Sequence, residues 1–177
     1  MAHPEQIAFC RSIKERYPTL FEGSSVLDIG SLDINGNNRY LFSGGTYIGV
    51  DVGKGKNVDV VSLGHEYRPD QVFDLVISTE CLEHDPHWAL TLMNMARLCR
   101  SEGLVLMTCA TTGRQEHGTS RSLPADSPLS HTMFKDHYLN LTEEMVREIP
   151  DFLTQFSEYG FSSNLRTRDL YFYGLKK

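Results

Sequence analysis

What most constrains this chain is a series of short apolar segments, several of them ending on an acidic or small polar residue. Ser25-Val-Leu-Asp-Ile-Gly30 runs into the loop Ser31-Leu-Asp-Ile-Asn-Gly-Asn37, and Tyr47-Ile-Gly-Val-Asp51 ends on an acid. Val58 to Ser62 and Phe73 to Ser78 are strand-length, and Gly103 to Ala110 is apolar on both faces. A strand apolar on both sides needs cover on both sides, the condition of a central parallel strand. Helix-period segments alternate with these runs. Pro4 to Arg16 carries Ile7, Phe9, Cys10 and Ile13 on one side, and Asn35 to Phe42 is stopped by Gly44-Gly45. Trp88 to Arg100 sets Leu92, Met95, Ala96 and Cys99 on one face. Strands alternating with helices predict an open, mostly parallel sheet covered on both faces.

The pattern changes after Ala110. Thr111 to Asn140 is polar, carries Gly113, Gly118, Pro124 and Pro128, and is too long for an ordinary connection. Such segments are lids, binding loops or disordered tracts. Leu141 to Arg147 reads as a helix with Thr142 as N-cap and acids in its first turn. Phe152 to Lys177 holds two extended segments, broken around Gly160 to Asn164, that are expected to pair as an antiparallel hairpin, although Phe152, Phe156 and Tyr159 also fit a helix face.

In sheets of this kind, ligands sit beyond the carboxyl ends of the strands, where the strand order reverses. Asp28-Ile-Gly30, Asp51, Ser62 and Ser78-Thr-Glu80 all fall at such ends. A loop after the first strand and an acid after the second form the minimal apparatus for an adenosine-containing cofactor. The net charge of −6, with no cluster of Lys and Arg, argues against nucleic acid as a partner. The longest apolar runs are too short to span a bilayer. Met1-Ala-His-Pro-Glu-Gln lacks the basic region and apolar core of a secretory signal. Cys10, Cys81, Cys99 and Cys109 are spread without a C-x-x-C pair, so reduced thiols in a cytoplasmic protein are expected.

Val26-Leu-Asp-Ile-Gly30, Gly49-Val-Asp51, the run Phe73-Asp-Leu-Val-Ile-Ser-Thr-Glu-Cys-Leu-Glu-His84 and Arg97 to Met107 come in the order of one known family. Over residues 24–110 the chain resembles the class I S-adenosylmethionine-dependent methyltransferases, of the methyltransferase type 11 kind. The resemblance implies a Rossmann-like three-layer α/β/α sandwich whose seven-stranded, mostly parallel sheet has an antiparallel last strand. One domain over 1–177 follows: an N-terminal helix over 1–22, a cofactor-binding core over 24–110, a long loop or lid over 111–140, and a C-terminal helix and hairpin over 141–177. It implies S-adenosylmethionine as cofactor and S-adenosylhomocysteine as product. Gly30 would approach the methionine part and Asp28 its ammonium group, Asp51 would hold the ribose hydroxyls, Ser62 and Leu63 would lie along the adenine, and Ser78, Thr79 and Glu80 beside the transferable methyl, with Ser31 and Val52 completing the cofactor-binding set. The turn departs from the family, because Gly30 is followed by Ser31-Leu32-Asp33-Ile34-Asn35-Gly36 without alternate glycines. Ser62-Leu63-Gly64-His65 likewise lacks the acid often found near the adenine.

Rival readings fare worse. Ser31-x-Asp33-x-Asn35-Gly36 imitates a calcium loop, but its twelfth position is Phe42 where the ion needs a bidentate Glu. A dinucleotide site needs bare amides for the pyrophosphate, where this turn offers Asp33 and bulk. No spacing among His117, His131 and His137 specifies a metal, and none is assigned. Glu80 and His84 are the candidate catalytic groups if the acceptor must lose a proton. The acceptor is expected to be a small molecule or carrier-bound group. The alternative is a regulatory module that keeps the fold and transfers nothing.

Overall fold

The computed structural model describes residues 3–177, apart from the side chain of His131. The apolar runs form β1 (Ser25–Ile29), β2 (Thr46–Asp51), β3 (Val60–Val61), β4 (Phe73–Thr79), β5 (Cys99–Ala110), β6 (Phe156–Asn164) and β7 (Asp169–Lys176). They make one sheet in the order β3-β2-β1-β4-β5-β7-β6. The first five strands are parallel to one another, and β7 inserts antiparallel between β5 and β6. This is the Rossmann-like α/β architecture with an antiparallel last strand.

The two-residue alternation of each strand sorts its side chains into two cores. Val26, Leu75, Ile77, Leu104 and Leu106 face Cys10 and Ile13 of α1 (Pro4–Arg16). Leu27, Val76, Val105 and Met107 face α2 (Trp88–Leu98), with Val146 of α4 (Glu143–Arg147) in the same cluster. β5 is buried from Gly103 to Ala110, as its apolar sequence requires. α4 begins as expected, with Thr142 Oγ1 accepting the Met145 amide at 3.3 Å. No described helix is long and apolar enough to cross a membrane.

Several elements differ from the sequence expectation. The helix over Asn35 to Phe42 is absent except for one 3-10 turn, Arg39–Leu41. Asp33 captures the Gly36 amide and Asn37 Nδ2, each at 2.8 Å, and so holds a turn where a helix would start. The third strand shrinks to two residues, because the Asp59 carboxylate turns back to the Gly49 amide at 2.7 Å. α2 stops at Leu98, and Cys99 and Arg100 already belong to β5, where Arg100 Nε reaches Asp74 Oδ1 at 2.6 Å. The hairpin turns at residues 165–168, not at Gly160 to Asn164, which is continuous strand. Asn164 Oδ1 caps that turn by accepting the amides of Arg166 and Thr167. The long loop contains a 3-10 turn (Pro124–Asp126) and the short α3 (Ser130–Met133).

Candidate functional site

Strand order reverses between β1 and β4, and a cleft opens at the carboxyl ends of the first four strands. Gly30, Asp51, Val52, Ser62, Leu63, Thr79, Glu80 and His84 stand on its wall. Asp28, Ser31 and Ser78 are buried behind that wall. The opposite side comes from the long loop, through Asp126 to Ser130 and Phe134.

Asp51 ends β2 with both oxygens held by backbone: Oδ2 accepts the Leu32 amide at 2.9 Å and Oδ1 the Val52 amide at 2.7 Å. Burial raises its pKa, and these amides counter the rise only in part. Each oxygen keeps a further lone pair, enough for a pair of hydroxyls. Behind it, Asp28 is 2% exposed and its Oδ2 accepts the Tyr47 hydroxyl at 2.5 Å, while Oδ1 has no partner. Burial pushes the Asp28 carboxyl up to about 7. Gly30 has φ +80°, and a Cβ there would stand 2.3 Å from Cys81 Sγ. The glycine is therefore required by the close approach of Cys81 as well as by the turn.

Glu80 follows β4 with φ +51°, a left-handed conformation that a non-glycine residue adopts only when its surroundings enforce it. Its Oε1 accepts the Thr108 hydroxyl at 2.9 Å, and Oε2 has no hydrogen-bond partner. Burial, then the charge of Glu83, pushes the Glu80 carboxyl up to about 7. His84 is 4% exposed, and burial together with His117 lowers its pKa to about 3. It is a neutral imidazole at physiological pH. Burial holds the Cys81 thiol far above its ordinary range, so it is not a nucleophile.

Cys81, Leu129 and Phe134 join the cleft without having been singled out in the sequence. Leu129 and Phe134 are apolar residues inside a polar loop, the one signal that could have found them. Cys81 carries no such signal, since its role follows from packing against Gly30.

A family model described as a methyltransferase domain matches residues 1–162. The chain belongs to the methyltransferase-domain family. No curated protein matches it. The domain is similar in structure to Haemonchus contortus phosphoethanolamine N-methyltransferase 2 in complex with S-adenosyl-L-methionine, with TM-score 0.65 and 16% identity. That similarity covers 96% of this chain and 52% of the other, so the domain spans about half of that protein's length. A SAM-dependent methyltransferase from Archaeoglobus fulgidus has TM-score 0.59 and 18% identity over 96% of this chain and 94% of its own. Magnesium protoporphyrin IX methyltransferase from Synechocystis PCC 6803, with S-adenosylhomocysteine bound, has TM-score 0.63 and 14% identity over 98% and 84%. At such identities the likeness is one of fold.

Proposed function

We propose that this methyltransferase domain binds S-adenosylmethionine in the cleft and moves its methyl group to a small or carrier-bound acceptor, releasing S-adenosylhomocysteine. The observation that carries this reading is Asp51, a carboxylate at the switch point whose two oxygens are fixed by the Leu32 and Val52 amides while it faces the cleft. Held this way, it would accept both ribose hydroxyls without further reorganisation. Gly30 and Val52 would border the sugar and methionine, Ser62 and Leu63 the adenine, and Thr79 and Glu80 the sulfonium end. Asp28, Ser31 and Ser78 would act from behind the wall by shaping it. The acidic wall suits a cationic sulfonium better than a diphosphate.

When bound, the cofactor would supply a methyl on a sulfonium, an electrophilic carbon whose sulfur would leave as a neutral thioether as the acceptor lone pair takes it. Alignment and exclusion of water supply most of the rate, and residues 126–134 would cover the cleft as a lid. Where the acceptor must shed a proton, Glu80 is the base: a carboxyl held at about 7 is matched to that task near neutrality. His84, neutral throughout, would shape the pocket. Four free cysteines and the charge of −6 support a cytoplasmic protein without nucleic-acid partners.

Isothermal titration with S-adenosylmethionine and S-adenosylhomocysteine tests the reading, and Asp51→Ala should weaken binding by about 1–3 kcal/mol. Folded protein that binds neither ligand would overturn it. Transfer of a labelled methyl to a component of cell extract would separate the enzyme from a non-catalytic module.

A further inference from the structure

Next to the cleft wall, and sharing His84 with it, lies a cluster whose other members, Glu83 and His117, take no direct part in the proposed methyl transfer. Glu83, His84 and His117 are all buried, and their donor atoms lie within 4.8 Å of one another. Glu83 is fully buried, yet neither of its carboxylate oxygens completes a hydrogen bond. His84 Nδ1 is also buried without a partner. Buried polar groups are ordinarily paired, and these three atoms are not.

His117 is already set for a further bond. Its Nδ1 lies 3.2 Å from the Gln115 carbonyl, which can only accept, so Nδ1 carries the proton and Nε2 keeps its lone pair. The same carbonyl accepts the Tyr138 hydroxyl at 3.2 Å, and the Tyr138 ring packs edge-on against both imidazoles. An imidazole whose second nitrogen donates to a carbonyl is the usual outer-shell arrangement of a metal-bound histidine. Gly118, at φ +66°, lets the loop close on this point, because a Cβ there would stand 2.7 Å from His84 Cε1.

We infer that Glu83, His84 and His117 form a site for a divalent transition-metal ion of the zinc type, sharing His84 with the cleft wall. Two imidazoles and one carboxylate are a donor set that zinc accepts, with a fourth position left for water or another ligand. Ligand atoms about 2.0–2.1 Å from a tetrahedral ion are about 3.3 Å apart. The donor atoms lie within 4.8 Å of one another, so a bound ion would draw them together by at most about 1.5 Å. One carboxylate also supplies the negative charge that a buried dication needs.

The test is equilibrium dialysis of the full chain, untagged, against zinc, with cobalt(II) as the spectroscopic probe and no methyl donor present. The wild type should take up one ion per chain, and bound cobalt should show the visible absorption of a low-coordinate nitrogen and oxygen site. Glu83→Ala and His117→Ala should each weaken uptake by more than the roughly 10–100-fold that loss of an outer-shell partner costs. His137→Ala, outside the cluster, should bind as the wild type does. Should the alanine variants not fold, the wild type still decides, because zinc must raise its Tm in step with ion concentration. No uptake by the wild type, or full-affinity uptake by folded Glu83→Ala and His117→Ala, would overturn the site. Neither outcome bears on S-adenosylmethionine binding, which is titrated separately.

Discussion

Replacing Gly30 by Ala separates two reasons for a glycine after β1, service to a ligand and service to the fold. At φ +80°, a residue with a Cβ costs about 1–2 kcal/mol in left-handed strain. The new Cβ would also stand 2.3 Å from Cys81 Sγ and 2.4 Å from Cys81 Cβ. The second atom sits next to the backbone and cannot swing away, so the segment after β4 must shift, at about 1–3 kcal/mol for an overpacked site. The sum is about 2–5 kcal/mol with no cofactor present, out of a total stability of roughly 5–15 kcal/mol. At about 2–4 °C per kcal/mol for a chain of this size, Tm should fall by about 4–20 °C. Urea unfolding of cofactor-free protein measures the loss directly. In a Cys81→Gly background both clashing atoms are gone, and Gly30→Ala should then cost only the about 1–2 kcal/mol of backbone strain. The two substitutions must therefore couple favourably. If Gly30→Ala unfolds at the same urea concentration as wild type while losing cofactor binding, the glycine serves the ligand alone and the Cys81 reasoning is wrong.

Asp28→Asn keeps an acceptor for the Tyr47 hydroxyl but removes a carboxyl held at about 7. The folded pKa lies above the unfolded value of about 3.9, so stability from this group is full below that value and lost as pH rises through 7. The variant should gain on wild type between pH about 4 and 7, by at most about 4 kcal/mol, and level off above. A gap that narrows as pH rises would contradict this. His84 works in the opposite sense, its depressed pKa costing stability on acidification, so the difference between variants is the quantity to follow. Thr142→Ala removes the acceptor for the Met145 amide and should cost about 1 kcal/mol in urea unfolding; no loss would mean the cap is idle. In stopped-flow binding, Phe134→Ala should speed release of S-adenosylmethionine several-fold if residues 126–134 act as a lid; an unchanged release rate would count against that role.

The parallel core was legible because its signal is local. Val26-Leu-Asp-Ile29 and Leu104-Val-Leu-Met107 are buried on both faces, and a strand in that position is built mostly from apolar residues. Asp51 and Glu80 were found for the same reason: a carboxylate that follows an apolar run stands where the sheet opens to a ligand. The helix expected over Asn35 to Phe42 rested on the Gly44-Gly45 stop behind it, whereas Asp33 gives the Gly36 amide and Asn37 Nδ2 a competing partner. The hairpin turn was displaced for a related reason. Gly160 looks like a breaker, yet it lies in β6 against the Tyr173 ring, where a Cβ would stand 2.6 Å from Tyr173 Cε1.

The sequence by itself therefore determined the layer order, the carboxyl-end location of the cleft and the acid at Asp51, because each follows from what a strand must bury and where it must stop. Only the tertiary structure decided what lies behind that cleft. It turned Asp28 inward to Tyr47, made Gly30 a partner of Cys81, and folded a polar loop so that His117, thirty-three positions after His84 in the chain, meets Glu83 and His84. Local pattern carries no record of such contacts. They depend on which residues a long connection brings back to the sheet, and that is settled by packing and closure rather than by periodicity.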